Sequence, residues 1–324
     1  MSDTVALHYA SHTKGSYEDA WFYADGTPYQ HFLADSVRSV LGLDFGKGDR
    51  LLDVGCGTGN FTRFLLEQCR EQEQPREDRG TDPIVLGIDP FLEFGEVADN
   101  DTKSPVRLLR QGAEEYFTQA AEGKMQQGED PAYNKVLFKE VVHHFDDKAF
   151  EGVFTGLRRY FSLCRDKLPQ SRDCRAVIVT RMHDPSHYPF FPAAREEWRK
   201  HQCPAERFVE SIRDRCGFEQ RLGGRVEVEV RPFQVKMPLS QWRRMVRQRF
   251  WSNLAPFSDE DLQRELDGMD FGDFLEDAGQ SDPTLCFSEK LVFITATFDP
   301  RLAPASDAAG LEATAPAAKI DYGN

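Results

Sequence analysis

Five short apolar runs, separated by longer stretches of helical periodicity, constrain this chain most: RLLDV (50–54), IVLGI (84–88), VRLL (106–109), KVLF (135–138) and AVIVT (176–180). Runs this short, rich in Val, Ile and Leu and without polar alternation, suit strands buried on both faces. Spaced by helices, they form repeated βαβ units whose right-handed crossovers cover both faces of a parallel sheet. The expected fold class is α/β. After residue 190 the pattern changes to amphipathic helical stretches interrupted by RVEVEV (225–230). The long, partly alternating run KLVFITATF (290–298) suits an antiparallel strand added late to the sheet.

The end of the first run carries the most informative chemistry. In LLDVGCGTGNF (51–61) a buried strand passes directly into Gly55, Gly57 and Gly59 at alternate positions, and a helix with Phe61, Phe64 and Leu65 on its inner face follows. Glycines permit positive φ and close approach of a ligand to the backbone, and the first amides of the helix are free to meet a polar or anionic group. A dinucleotide requires Gly-x-Gly-x-x-Gly or Ala. The sixth position here is Asn60, whose side chain would crowd a pyrophosphate, so a nicotinamide oxidoreductase is disfavoured.

With Asp53 ahead of the glycines, D-V-G-C-G-T-G resembles the first motif of the class I (Rossmann-like) S-adenosylmethionine-dependent methyltransferases. The resemblance implies a seven-stranded, mostly parallel sheet with helices on both faces, an antiparallel last strand and a helical lid. It implies S-adenosyl-L-methionine as cofactor, its methionine end on the backbone of Gly55, Cys56 and Gly57, with Gly59 completing the turn and Asp53 just beneath. Asp89, ending VLGIDP ahead of Pro90, is placed to accept both ribose hydroxyls; a charged insertion lengthens its spacing from the glycines beyond the usual ~20 residues. QGAEEYF (111–117) resembles the segment beside the adenine, with Ala113 and Glu114 next to the base. YNKVLFKEVVHHF (133–145) resembles the fourth motif, so Lys139 to His144 border the reaction centre and Glu140 joins the cofactor-binding set. This stretch lacks the Asn/Asp-Pro-Pro-Tyr pattern of the amino-group methylases of adenine and glutamine, and it lacks the paired glutamates of the protein arginine methylases. The resemblance covers residues 45–181.

Methyl transfer from a sulfonium is an in-line displacement, so holding the nucleophile and the methyl carbon close and aligned supplies most of the acceleration. A base is needed only when the nucleophile arrives protonated, and His143 and His144 are the candidates. On the substrate side stand the N-terminal aromatics Tyr17, Trp21, Phe22 and Tyr23, and Arg181 just past the fifth run. In MPLSQWRRMVRQRFWSNL (237–254), Trp242, Val246 and Arg249 fall at i, i+4 and i+7, which places Arg249 on the apolar stripe of a helix. A guanidinium there needs a partner, either a substrate carboxylate or an internal acid; the same choice holds for Arg181.

Forty Lys and Arg against 54 Asp and Glu give a formal charge of −14 over 324 residues, which disfavours a nucleic acid partner and points to a small-molecule substrate. The seven cysteines form no Cys-x-x-Cys pair, and no metal site is expected; arsenite as acceptor would need three converging thiols, and no adjacent-cysteine signature supports it. Scattered cysteines, no apolar leader core and no long apolar span suggest a cytoplasmic protein without a membrane partner, monomeric or a homodimer. The expected organisation is an N-terminal cap segment (1–44), a cofactor-binding core (45–182), a substrate lid with a late strand (183–285), a final core strand (286–300) and a disordered tail (301–324).

Overall fold

The computed structural model describes residues 22, 26–72, 85–91, 106–122, 133–164, 173–201, 204–216 and 224–298. The tail 301–324 and most of the insertions 71–82 and 121–132 lie outside them, as do Tyr17, Trp21 and Tyr23.

Each apolar run forms a strand: β1 (Leu51–Val54), β2 (Val85–Ile88), β3 (Val106–Leu109), β4 (Lys135–Lys139) and β5 (Cys174–Arg181). Later in the chain come β6 (Arg225–Pro238), the two-residue β7 (Leu275–Glu276) and β8 (Thr284–Phe298). The sheet order is β3-β2-β1-β4-β5-β8-β6, with β7 beside β8. The first five strands are parallel, and β8 runs antiparallel to β5 and β6. This is the expected α/β architecture with a reversed last strand. Strand order reverses direction between β1 and β4, and open α/β sheets bind ligands at such a switch point, outside the carboxyl ends of the strands.

Helices cover both faces. On one lie α1 (Pro28–Leu41) and α2 (Asn60–Gln72), whose Leu33, Val37 and Leu65 join Leu51, Leu137, Val177 and Val179 in one core. On the other lie α3 (Ala113–Ala121) and α4 (Asp147–Cys164), whose Tyr116, Phe117, Phe154 and Leu157 pack with Leu52, Val54, Val136 and Phe138. The period-two alternation of β1 sends Leu51 and Asp53 to the first face and Leu52 and Val54 to the second. α1 follows its local code: Thr27 Oγ1 accepts from the Gln30 amide, Pro28 opens the helix, and Gly42 ends it in the left-handed region.

Residues 183–285 contribute both to the sheet and to the layers around it. β6 is a full strand of the sheet, and α6 (Ala205–Glu210) packs with the second core through Phe208 and Val209. The remainder is a cap built from α5 (Pro192–His201), α7 (Leu239–Arg247) and α8 (Asp259–Gly268). Register explains its position. β5 pairs with β8 only from Arg181↔Leu291 to Cys174↔Phe298, whereas β6 and β8 stay paired out to Pro238↔Thr284. The two long strands therefore run past the carboxyl end of β5, and the cap is built on that overhang.

Candidate active site

The glycine turn sits at the switch point. The Gly55 and Cys56 amides both donate to the Ile88 carbonyl, at 2.8 and 3.2 Å, so the end of β2 holds the turn and these two N–H groups are already engaged. Gly55 has φ +74° and lies so close to Val141, the second residue after β4, that an added Cβ would stand 2.5 Å from its Cγ2. At Gly57, φ is +56° and an added Cβ would meet nothing within 4 Å. The turn is thus closed at one glycine and open at the next. Gly59 gives its amide to the Cys56 carbonyl and leads into α2.

Asp53 lies beneath this turn, 1 % exposed. Its Oδ2 accepts a 2.5 Å hydrogen bond from the Thr62 hydroxyl of α2, while its Oδ1 is buried with no hydrogen-bond partner among the described residues. Burial pushes its acidity constant up to about 6, against the opposing pull of the Thr62 bond and the Lys139 ammonium. Burial likewise pushes the neighbouring Cys56 thiol well above its usual range. Asp89, at the end of β2, receives the Gly57 amide on Oδ2 (3.0 Å) and the Phe91 amide on Oδ1 (2.8 Å), which fixes its carboxylate across the mouth of the turn. The Pro90 carbonyl accepts from Arg110 Nε at 3.3 Å. Ala113 is the first residue of α3 and buried; Glu114 is exposed, its carboxyl lying over Gly152 of α4.

At the end of β4, Glu140 takes a left-handed φ of +55°, a conformation that costs a non-glycine residue free energy, and its amide donates to the Val179 carbonyl. The 3₁₀ turn Val142–His144 follows at once and carries His143 and His144, both half-buried, with ring centroids 3.8 Å apart. Both histidines thus border the switch point.

Arg181 ends β5, and its guanidinium ties three groups together. Nη1 pairs with Glu140 Oε2, and Nε donates to Glu289 Oε2 at 3.3 Å and to the Tyr188 hydroxyl at 3.2 Å. Arg181 therefore has internal acids as partners. Glu289 on β8 is fully buried and pushed up to about 7, burial being the main cause and Arg181 opposing it. Around this cluster stand aromatic rings: Phe22 faces the guanidinium at 5.9 Å, and Tyr188 reaches Phe287 (5.1 Å), Trp242 (6.3 Å) and Trp251 (6.4 Å). Trp242 is fully buried on α7.

Arg249 departs from its expected placement. α7 ends at Arg247, and Arg249 lies beyond it at φ +52°. Its Nε and Nη2 donate to the Phe257 carbonyl at 3.1 and 2.7 Å, and Nη2 pairs with Asp259 at 2.7 Å. The guanidinium clamps the loop leading into α8, and the i+7 stripe does not extend to it because the helix stops two residues short.

Three residues at the site escaped the sequence reading. Thr62 and Tyr188 carry no local signal. Glu289 does: Leu285, Phe287, Glu289 and Leu291 share one face of β8 at period two and are all buried, so a carboxylate stands in an apolar row.

No protein-family model and no curated protein matches the chain. Solved structures similar to it include the YcgJ protein from Bacillus subtilis, at 14% identity and a TM-score of 0.44, covering 83% of this chain and 98% of that one. The plantazolicin methyltransferase BpumL, solved with a pentazolic desmethylPZN analog and SAH, is 13% identical at a TM-score of 0.45, covering 91% and 96%. A SAM dependent methyltransferase from Archaeoglobus fulgidus is 16% identical at a TM-score of 0.38, covering 83% and 94%. All three TM-scores lie below 0.5, and the functional reading below rests on the residues of this chain alone.

Proposed function

We propose that this protein is an S-adenosyl-L-methionine-dependent methyltransferase acting on a small molecule. One observation carries the reading: beneath a glycine turn at the switch point, buried Asp53 has an oxygen with no hydrogen-bond partner among the described residues. A buried carboxylate oxygen without a donor is costly, and the α-ammonium of a methionine moiety beside Gly55 and Gly57 would supply one. Asp89, held across the turn mouth, offers its remaining lone pairs to a pair of ribose hydroxyls. The open face of Gly57 admits ligand atoms where any side chain would intrude. Pro90, Ala113 and Glu114 complete the nucleoside side.

The bound cofactor supplies an electrophilic methyl group on a sulfonium. The chain supplies position: Asp53 and the turn fix one end, Asp89 fixes the other, and the cap on the β6 and β8 overhang excludes water. His143 and His144 stand after β4 as candidates to accept a proton from the acceptor. No helix among the described residues is long and apolar enough to cross a membrane. A cytoplasmic location is part of the same reading.

Asp89→Ala tests the assignment. It removes a charge-assisted bidentate contact, and the expected outcome in calorimetry is about a thirtyfold weaker Kd for S-adenosylhomocysteine, near 2 kcal/mol. An unchanged Kd removes Asp89 from the site.

A further inference from the structure

On the cap side of the site several buried polar atoms lie close together. Among the described residues, Glu140 Oε1 and Glu289 Oε1 are buried without a hydrogen-bond partner, and so are the indole nitrogens of Trp242 and Trp251. These four residues form one neighbourhood. Arg181 bridges the two carboxylates, its Nε donates to Tyr188, and Tyr188 contacts both tryptophans, whose rings lie 4.6 Å apart. Native proteins satisfy nearly all buried polar groups, and exceptions gathered in one place call for a partner such as a water, an ion or a ligand.

The chemistry of the missing partner follows from the charges. Among the described residues the cluster holds two carboxyl groups against one guanidinium, so once Glu289 is ionised one negative charge exceeds the positive charge beside it. Each carboxylate spends one oxygen on Arg181 and leaves the other for a donor. The walls are aromatic, with Phe22, Tyr188, Trp242, Trp251 and Phe287 around the ion cluster. Aromatic faces and an uncompensated carboxylate together select a cation bearing N–H groups on an apolar body. Glu140 is 15% exposed and stands next to Val141, the residue that closes the turn at Gly55. The less buried end of the cluster therefore lies beside the residue that packs on the glycine turn, where a methyl group would be presented.

We propose that the methyl acceptor is an organic amine on an apolar, aromatic body, its nitrogen held by Glu140 and Glu289 inside the aromatic cap. This rests on the methyltransferase reading and names its substrate class. In the transfer, an arriving ammonium gives one proton to the Glu289 carboxylate, whose affinity for protons is raised by burial. The freed lone pair forms the N–C bond as the methyl–sulfur bond breaks, with that bond's electron pair passing to sulfur. The products are a thioether and an N-methylammonium.

The test uses the full-length protein and matched probes. Affinities of tryptamine and phenethylamine are measured by calorimetry in the presence of S-adenosylhomocysteine, against tryptophol, phenethyl alcohol and the corresponding carboxylates. The expected result is that the amines bind about tenfold or more tightly than their alcohols, the carboxylates least of all, and that Glu289→Gln erases this preference while the Kd for S-adenosylhomocysteine stays the same. Equal binding of amine and alcohol by the unaltered protein, or no binding of any amine, overturns the proposal whether or not the variant folds. The two readings fail separately: an amine preference without affinity for S-adenosylhomocysteine would sink the cofactor assignment and leave the amine site standing, and the reverse pattern would sink the amine site alone.

Discussion

Gly55→Ala is expected to remove measurable binding of S-adenosylhomocysteine and to lower unfolding stability by about 2–4 kcal/mol, from overpacking plus the cost of a left-handed φ on alanine. The added Cβ would sit 2.5 Å from Val141 Cγ2 and 2.8 Å from its Cβ. Val141 has little room to retreat, because it is β-branched and is held between Glu140 at φ +55° and the turn Val142–His144. Displacing it would move the end of β4 and the glycine turn together. Gly57→Ala provides the contrast. There an added Cβ meets no protein atom, so the stability loss is limited to backbone strain of about 1–2 kcal/mol, yet the methyl would stand in the space assigned to the ligand. Denaturant unfolding and calorimetry on the pair separate the two effects: Gly57→Ala should lose affinity with modest destabilisation. If Gly55→Ala binds as tightly as the parent protein, the turn does not touch the ligand.

Glu289→Gln is expected to make the protein more stable than its parent above neutral pH, by roughly 3 kcal/mol at full effect, the gain shrinking toward pH 5. The sign follows from proton linkage. Folding raises the carboxyl from 4.5 to about 7, so between those values the native state holds a proton that the unfolded chain has released, and stability falls as pH rises. The slope is about 1.4 kcal/mol per pH unit for one group. Arg181, Glu140 and the backbone at Lys290 face Glu289 and set the balance, burial outweighing the guanidinium. Asp53 adds a fall of the same sign between 3.8 and about 6. His187, whose acidity constant is lowered mainly by burial, works the other way, favouring the native state as pH rises toward its unfolded value of 6.5. Comparing parent and variant across pH 5–9 cancels the contributions of Asp53 and His187. A difference in Tm that does not vary with pH would contradict the account of Glu289.

The two halves of the site differ in how legible they are in the chain. Asp53, Gly55, Gly57 and Asp89 lie within one βαβ unit, where strand pattern, glycine spacing and a following helix all act locally, and the structure gathers them at one switch point. The cap side is assembled from distant segments. Glu140 and Glu289 meet through Arg181 across 149 positions of chain, and the aromatic wall draws on residues from Phe22 to Phe287. No periodicity reports such a meeting, because tertiary packing of the β6 and β8 overhang creates it. Arg249 shows the opposite failure. A helical stripe projected from Trp242 ran past a helix end that Gln248 and Arg249 set through backbone geometry rather than through a glycine or proline signal. The final strand, expected over 286–300, was visible as β-sheet, but its start at Thr284 and its pairing along the whole of β6 were not. Those residues alternate between buried and partly exposed positions, and their length depends on a partner that sequence alone does not name.

On the proposed function, the turn from Asp53 to Asn60 holds an adenosyl sulfonium. Calorimetric titration of the full-length protein with S-adenosylhomocysteine tests it most directly, with NADH titrated alongside. The account predicts one saturable site for S-adenosylhomocysteine, weakened strongly by Gly55→Ala, and no binding of NADH. Saturable binding of NADH with no heat from S-adenosylhomocysteine would contradict it.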